Sequence, residues 1–427
     1  MFRKLKNALY FPIASYFRFF AAIRLKKWKP QIIVVTGSNG KTTLLHMLES
    51  QIGPIAKYSH HANSAYGIPF DILGLHRETL QMSEWFSLVL KTPFQIFKAL
   101  PKEKLYVVES DADRPGEGKF LAELLKPDVV LWVSTARTHS MNFDALVSQR
   151  KFATVEEAIA YEYGWFVANA LQLVVTDGDS PLIVKQLKRT KVPVKAFQKS
   201  QTLKKYTVDK NGTQFTFSDK PYAIPYLLPE EAYISVAMSE VTMQFINMPM
   251  DTTFKRFSLP PGRGSIFAGI EDVTIIDSSY NANLGSMAAM LAMLRKFPGN
   301  KKWVVVSDMF ELGNEEQEEH TKLAHLLESC DLERIFFLGP RVKRYTLPEY
   351  KKITKRNAFL EAFENPKHLL DFIEKTIQGN ETILFKGSQS AFLEGIIAPL
   401  LKNKEDKEKL PRQEIFWQKK RETLGLH

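Results

Sequence analysis

The run Thr36-Gly37-Ser38-Asn39-Gly40-Lys41-Thr42-Thr43 carries the residue types that hold the phosphates of a nucleotide. It follows an apolar, β-branched segment, QIIVV from residue 31, and precedes KTTLLHMLESQI, which has helical periodicity. A strand that enters a glycine turn and continues as a helix aims unpaired backbone N–H groups at a bound anion, and the helix dipole adds favourable potential. In that setting Lys41 reaches the terminal phosphates and the Thr42 hydroxyl holds Mg²⁺. The spacing is shorter than the common phosphate loop, whose first glycine would fall on Val35. A βα turn that contains Gly-Lys-Thr by chance is the competing reading, and the strand–helix context weighs against it. A nucleotide phosphate chain and Mg²⁺ are the expected ligands.

The elements that must position this loop read as α/β. Apolar runs at LYVVES (105–110), DVVLWVS (128–134) and QLVVTD (172–177) resemble buried parallel strands with helices between them. Residues 193–228 alternate over short segments with turns such as Asn211-Gly212, which suits a small antiparallel insert or edge region. A Pro-Pro-Gly-Arg-Gly turn at 260–264 opens a second α/β pattern, with strands at 273–277, 303–307, 334–339 and 382–387 and helices around 285–297 and 315–329. The expected division is a basic amphipathic helix over 1–30, a central ATP-binding domain over 31–257, a smaller Rossmann-like domain over 258–403 and a charged tail over 404–427. A chain of 427 residues is too long for one ordinary core.

Composition excludes more than it identifies. With 44% hydrophobic and 25% charged residues the chain is of the soluble globular type, and its single cysteine, Cys330, can form no internal disulfide. A reducing, cytoplasmic setting fits. The net charge of +11 suits phosphorylated substrates or an acidic membrane surface. No RRM, KH or zinc-finger pattern accompanies it, so nucleic acid is not an expected partner. In the first 30 residues Arg18 and Pro12 interrupt the apolar run, which argues against export and against a spanning helix. Phe2, Leu5, Leu9, Ile13, Phe17 and Phe20 recur at helical spacing, flanked by Arg3, Lys4, Lys6, Arg24, Lys26 and Lys27. Two readings of this stripe stand side by side: residues 1–27 lie peripherally on the inner face of a membrane, or the helix packs on its own protein.

Several ordered segments resemble the Mur ligase superfamily, which joins amides in peptidoglycan precursors and includes the folylpolyglutamate synthases. The TGxNGKTT loop is the first. HANSAYGIP (61–69), VVESDADRPGE (107–117) and PDVVLWVSTARTHSMNF (127–143) follow. GRGSI (262–266), TIIDSSYNANLGSM (274–287), VVVSDMFELG (304–313) and FKGS (385–388) complete the order. The YNANxxSM and DMxELG segments are most similar to the MurF branch, which adds D-alanyl-D-alanine to a UDP-muramoyl tripeptide.

The resemblance implies an ATP-dependent acid–amino-acid ligase. A carboxylate attacks the γ-phosphate of ATP to give an acyl phosphate, and an amine displaces phosphate to leave an amide. It implies that Lys41, Glu109, His139 and Arg263 act in catalysis, with Thr42, Glu109 and His139 at the metal. Thr36 to Thr43, Asn63, Asp277, Tyr280 and Asn281 would bind the nucleotide, and Lys386 and Ser388 would lie near the incoming substrates. Taken alone, His139 reads as a solvated loop residue, Asp277 and Asn281 as turn caps, and Arg263 as a hinge residue. His320 is left outside the catalytic set.

Three departures bound the expectation. The family's ligases carry a first domain that holds UDP, and here residues 1–30 precede the loop. Tyr163 stands where the family has a lysine that becomes carbamylated and holds a second Mg²⁺. Val236 falls near an asparagine that meets adenine. The leading expectation is a MurF-like ligase joining a small-molecule or lipid-linked cell-wall precursor to an amino acid or dipeptide. A ligase on another polymer such as a polyglutamate, and a degenerate ATP-binding scaffold, are the alternatives.

Overall fold

Continuous runs of Val, Ile and Leu can be buried on both faces only inside a sheet covered by helices, and the apolar segments are used in that way. The computed structural model describes residues 2–60, 62–77 and 82–426, and side chains among them except at 2–8, 82 and 83. His61 and the side chains of Phe2, Arg3, Lys4, Leu5 and Lys6, named above, lie outside these. The chain forms two compact units, residues 1–202 with 234–251 and residues 203–233 with 252–427.

In the first unit strands β1 (Gln31–Thr36), β2 (Ala56–Tyr58), β3 (Leu105–Ser110), β4 (Val129–Trp132), β5 (Leu173–Asp177) and β6 (Val194–Phe197) form a parallel sheet in the order β2-β3-β1-β4-β5-β6. β1 lies centrally, with Val35 opposite Glu109 and Leu131. The end of β1 therefore delivers the glycine loop beside the ends of β3 and β4, where ligands bind in open parallel sheets. The helix Val155–Ala168 is started by Thr154, whose hydroxyl accepts from Glu157 N at 3.2 Å. Its buried Glu162 carboxylate accepts from Gly116 N (2.9 Å) and Gly118 N (3.1 Å), which pins the segment after β3. A side chain at Gly118 would meet Glu162 O at 2.1 Å, so the contact requires glycine.

Helix α1 (Phe2–Trp28) packs on its own unit, beside helix α3 (Gly67–Leu73), through Ala14, Phe17, Ala21 and Leu25, all buried in the core. Much of its apolar stripe is thus core, whereas Leu9, Ile13 and Phe19 remain exposed. Among the described residues no helix is long and apolar enough to cross a membrane.

The second unit holds two sheets. β7 (Leu203–Asp209), β8 (Gly212–Phe217) and β9 (Lys220–Ile224) form an antiparallel sheet whose first hairpin turns at Lys210-Asn211, with Asp209 Oδ1 accepting from Asn211 N at 2.7 Å. β10 (Ser265–Ala268), β11 (Thr274–Ser278), β12 (Lys302–Ser307), β13 (Arg334–Leu338), β14 (Phe359–Phe363) and β15 (Thr382–Lys386) form the other, in the order β10-β11-β15-β12-β13-β14. Only β10 runs antiparallel. The charged tail docks here. Glu394, 1% exposed, receives Arg412 (Nη2 to Oε2, 2.6 Å) and Arg421 (Nη1 to Oε1, 3.0 Å).

Removing one member of a buried charge network strands the others without partners, at a cost of about 3–5 kcal/mol. Glu394→Ala is therefore expected to lower the denaturant midpoint of the full chain by that equivalent, whereas Lys402→Ala, whose partner Asp272 is exposed, is expected to leave it unchanged.

Candidate active site

At the end of β1 the loop is held open by its neighbour rather than by itself. Ser38 N donates to Ser134 O (3.0 Å), Asn39 N to Ser134 Oγ (2.9 Å), and Ser38 Oγ to Ala136 O (2.8 Å). Thr36 Oγ1 donates to Ser110 O at 2.8 Å. Gly37 has φ 128°, and a Cβ there would meet Ser134 O at 2.7 Å, so the backbone approach excludes any side chain. Gly40 opens helix α2 (Lys41–Ile52), with Thr42 and Thr43 in its first turn.

Lys41 is 7% exposed and folds back over the loop, donating to Gly37 O at 2.6 Å and meeting Asp111 Oδ2 at 2.9 Å. Burial works against its charge, but Asp111 and then Glu109 outweigh burial and hold its pKa above the usual value. For Asp111 burial also opposes the charge, and Lys41, with the Tyr163 hydroxyl, keeps the carboxyl below its usual range. The Tyr163 hydroxyl donates to Asp111 Oδ1 at 2.8 Å from a fully buried ring packed beside Trp132. Burial and Asp111 push that phenol well above its ordinary pKa, so it stays a neutral donor.

Further groups converge here. Thr42 Oγ1 donates to Glu109 Oε2 at 3.0 Å. His139, with φ 53°, sets Nε2 3.3 Å from Asp113 Oδ1. Asp113 is pushed up to about 7 by burial and by the Asp111 charge beside it. Asn63 O accepts from Asp111 N at 2.8 Å, and Ser59 Oγ accepts from Glu109 N at 2.8 Å. The segment after β2 that carries Ser59 and Asn63 is clasped to α2 by Glu49, which meets His60 Nε2 at 3.1 Å and His46 Nδ1 at 3.4 Å. A loop of backbone donors beside a lysine, a hydroxyl and carboxylates has the chemistry of a site for a nucleotide phosphate chain and a divalent cation. Sequence reasoning assigned Glu109 but passed over Asp111 and Asp113 in the same segment. Their positions two and four residues beyond Glu109, past the strand end, were the available signal.

In the second unit a separate cluster surrounds the end of β11. Asp277 is fully buried; Oδ1 accepts from Ser279 N at 3.0 Å, while Oδ2 and Arg263 Nε find no hydrogen-bond partner among the described residues. The Arg263 guanidinium lies 4.2 Å from the centre of the Tyr280 ring, which is half exposed. Lys386, on β15 beside β11, donates to Ser278 O at 3.3 Å and to Asn281 O. The tail reaches the same loop, since Arg412 Nη2 donates to Ser279 O at 3.0 Å. Asn281 Oδ1 accepts from Ala282 N at 2.8 Å, a local turn contact. Ser388 spends its hydroxyl on Asp308 O (2.7 Å) and is buried. His320 is likewise internal: Nε2 accepts from Met309 N at 3.1 Å, and burial lowers its pKa. Buried orphan atoms on an acid and an arginine, next to an exposed aromatic ring, fit a polar ligand with a flat group.

Residues 35–235 match the Mur ligase middle domain, and residues 262–389 match the Mur ligase, glutamate ligase domain. The chain belongs to the Mur ligase family, a family of ATP-dependent ligases. Among curated proteins it is similar to UDP-N-acetylmuramoyl-tripeptide–D-alanyl-D-alanine ligases. It is 24% identical to that of Escherichia coli K12 over 87% of this chain and 77% of the relative, and 23% identical to that of Bacillus subtilis 168 over 89% and 78%. A MurF ligase of Thermotoga maritima, solved in complex with ADP, shares the fold with a TM-score of 0.71 at 22% identity, covering 93% of this chain and 84% of that one. A folylpolyglutamate synthase of Mycobacterium tuberculosis shares it with a TM-score of 0.56 at 13% identity, covering 87% and 92%.

Burial and the Arg263 charge push Lys386 down from 10.5 to about 7, with Asp277 opposing. Between about pH 7 and 10.5 the unfolded chain then binds the proton that the folded chain lacks, so stability rises with pH across that window. Asp277, raised by burial from 3.8 to about 6, makes stability fall between those values. Lys386→Met is expected to remove the alkaline rise, worth up to roughly 3–5 kcal/mol, while leaving the acid-side fall in place, as read by denaturant titrations at stepped pH.

Proposed function

We propose that this chain is an ATP-dependent amide ligase of the MurF type, which activates a carboxylate as an acyl phosphate and joins it to the amine of an amino acid or dipeptide. The observation that carries the reading is the convergence of the glycine loop, Lys41, the Thr42–Glu109 pair and Asp111 at one strand end of the first unit. Loop N–H groups and Lys41 bind and orient the phosphates, and Thr42 and Glu109 are the residues that would hold Mg²⁺. That ion supplies charge neutralisation on the phosphate oxygens. When Lys41 turns from Asp111 to a phosphate, the carboxylate it leaves needs another positive partner, so the Asp111–Glu109 side of the site fits a divalent cation.

Tyr163 gives this reading its particular form. A phenol cannot carry the bridging carbamate that a lysine can, and here it orients Asp111 instead. We assign to Asp111 the fixed negative charge at that side of the site, with Asp113 and His139 beyond it. In the second unit Asp277, Tyr280 and Arg263 are assigned to the nucleoside end and the transferred phosphate, and Lys386 with Ser388 to the wall near the incoming substrates. The acceptor is proposed to be a cell-wall precursor, because the curated relatives that match most of this chain are named for a muramoyl-tripeptide substrate.

Phosphate release is the direct test. Amino acids and dipeptides, D-alanyl-D-alanine among them, are paired with muramoyl-peptide acceptors with and without UDP, and with glutamate chains. Release that requires both an acceptor and an amine is expected with a muramoyl peptide. Release only with glutamate chains would move the activity to the polyglutamate class, and silence with every pair despite measured ATP binding would leave a nucleotide-binding scaffold.

A further inference from the structure

Helix α4 (Met82–Gln95) has two apolar faces, and a helix at the surface of a globular unit ordinarily needs one. Its inner face, with Trp85, Leu88 and Val89, packs on the core of the first unit. Its outer face carries Phe86, Leu90 and Phe94 at four-residue spacing, continued by Phe97, and these are 70%, 55%, 70% and 78% exposed. Scattered exposed apolar residues are ordinary; a continuous row with three phenylalanines is not.

The row cannot fold away, because the helix is fixed from behind. Tyr16 of α1 donates its hydroxyl to Val89 O at 2.9 Å, and Trp85 lies edge-on to Tyr66 with ring centres 5.2 Å apart. At the end of the helix and beyond it, Arg24, itself buried, donates to Gln95 O and to Ala99 O (2.8 Å), and Trp28 Nε1 donates to Glu103 O at 2.7 Å. The loop 96–104 is thereby tied to the C-terminal turn of α1.

That tie gathers positive charge at one end of the row. Lys91, Lys98, Lys102 and Lys104 are exposed on α4 and its loop, and Lys26, Lys27 and Lys29 at the end of α1. Lys27 Nζ lies 3.2 Å from Ile96 O and 5.5 Å from the centre of the Phe97 ring. The acids of the segment do not offset this, since Glu84 faces Arg77 at 3.7 Å and Glu103 stands alone among the lysines. Phe19, on the outward side of α1, is 62% exposed.

We propose that the outer face of α4, with the lysines of loop 96–104 and the end of α1, docks on the surface of an anionic lipid bilayer. Aromatic side chains enter the boundary between headgroups and acyl chains while lysines meet the headgroup phosphates, a division of labour that suits an interface helix. A second copy of the chain is the poorer occupant, because a two-fold contact would bring the same lysines together. The surface centres on α4 rather than on the apolar stripe of α1, much of which the core uses, and it stands whether or not the chain is a ligase.

The test is flotation of the full chain with vesicles of phosphatidylcholine alone and of phosphatidylcholine with phosphatidylglycerol. Binding to the anionic vesicles is expected, with loss at high salt. Phe86→Ser, Phe94→Ser and Phe97→Ser together should weaken it about tenfold or more, and Lys98→Gln, Lys102→Gln and Lys104→Gln should each cost up to about fivefold. Because these side chains are exposed, thermal unfolding of each variant should match the parent, and Phe416→Ser, an exposed tail position, should bind as the parent does. The proposal fails if neither vesicle binds the chain, if both bind it equally, or if the α4 variants bind as tightly as the parent. It fails equally if the exposed row instead supports a concentration-dependent dimer that the phenylalanine variants dissolve, without any vesicle binding.

Discussion

A buried ion pair constrains the first unit: Lys41 against Asp111 at 2.9 Å, with the Tyr163 hydroxyl on the far carboxylate oxygen. Neither charge can be left alone in that environment without a cost of several kcal/mol. The surroundings follow from it. Asp111 must be ionised to hold Lys41, so a neutral donor must sit behind it, and a fully buried tyrosine with a strongly raised pKa is such a donor. Burial, together with the Asp111 charge, pushes Asp113 up to about 7, and His139 Nε2 lies 3.3 Å from its carboxylate.

The scaffold around this pair is built to keep segments after different strands in register. β1 delivers the glycine loop, β3 delivers Glu109 and Asp111, and the turn after β4 fixes Ser38 and Asn39 through Ser134. Glu117 extends the same logic outward. Fully buried, it accepts from Tyr10 of α1 at 2.8 Å, from Ala65 N at 2.8 Å and from Asp113 N at 3.1 Å. Through Glu117 the first helix is therefore joined to Ala65, two residues beyond Asn63, and to Asp113. In the second unit the tail performs a similar service, as Arg412 bridges Glu394 and the carbonyl of Ser279.

How much of this could be read beforehand divides along physical lines. The central strands stood out because both faces are buried and their composition is correspondingly apolar, as at Val129–Trp132 and Lys302–Ser307. Edge strands gave little signal: Val194–Phe197 is largely exposed and Phe359–Phe363 half-buried, so neither needs a distinctive pattern. The phosphate loop and Glu109 were legible because their spacing is local. Asp111 and its tyrosine were not, since they are 52 residues apart and only the packing of the helix Val155–Ala168 against the sheet brings them together. The segment 203–233 also escaped a sequence-based division, because it leaves the first unit to pack with the second and the chain returns at residue 234. The outward phenylalanines of α4 were hidden for the opposite reason, since an apolar run predicts burial and gives no sign of which face is left over.

The most direct test of the account is the affinity of the full chain for an ATP analogue in the presence of Mg²⁺, measured calorimetrically for the parent, Lys41→Met and Tyr163→Phe. Lys41→Met removes a charge-assisted contact to the phosphates and should weaken binding about ten- to hundredfold. Tyr163→Phe, which takes one hydrogen bond from Asp111, should weaken it by a smaller factor and increase its dependence on Mg²⁺. Equal affinity in all three proteins would contradict the assignment of the loop, Lys41 and Asp111 to the nucleotide.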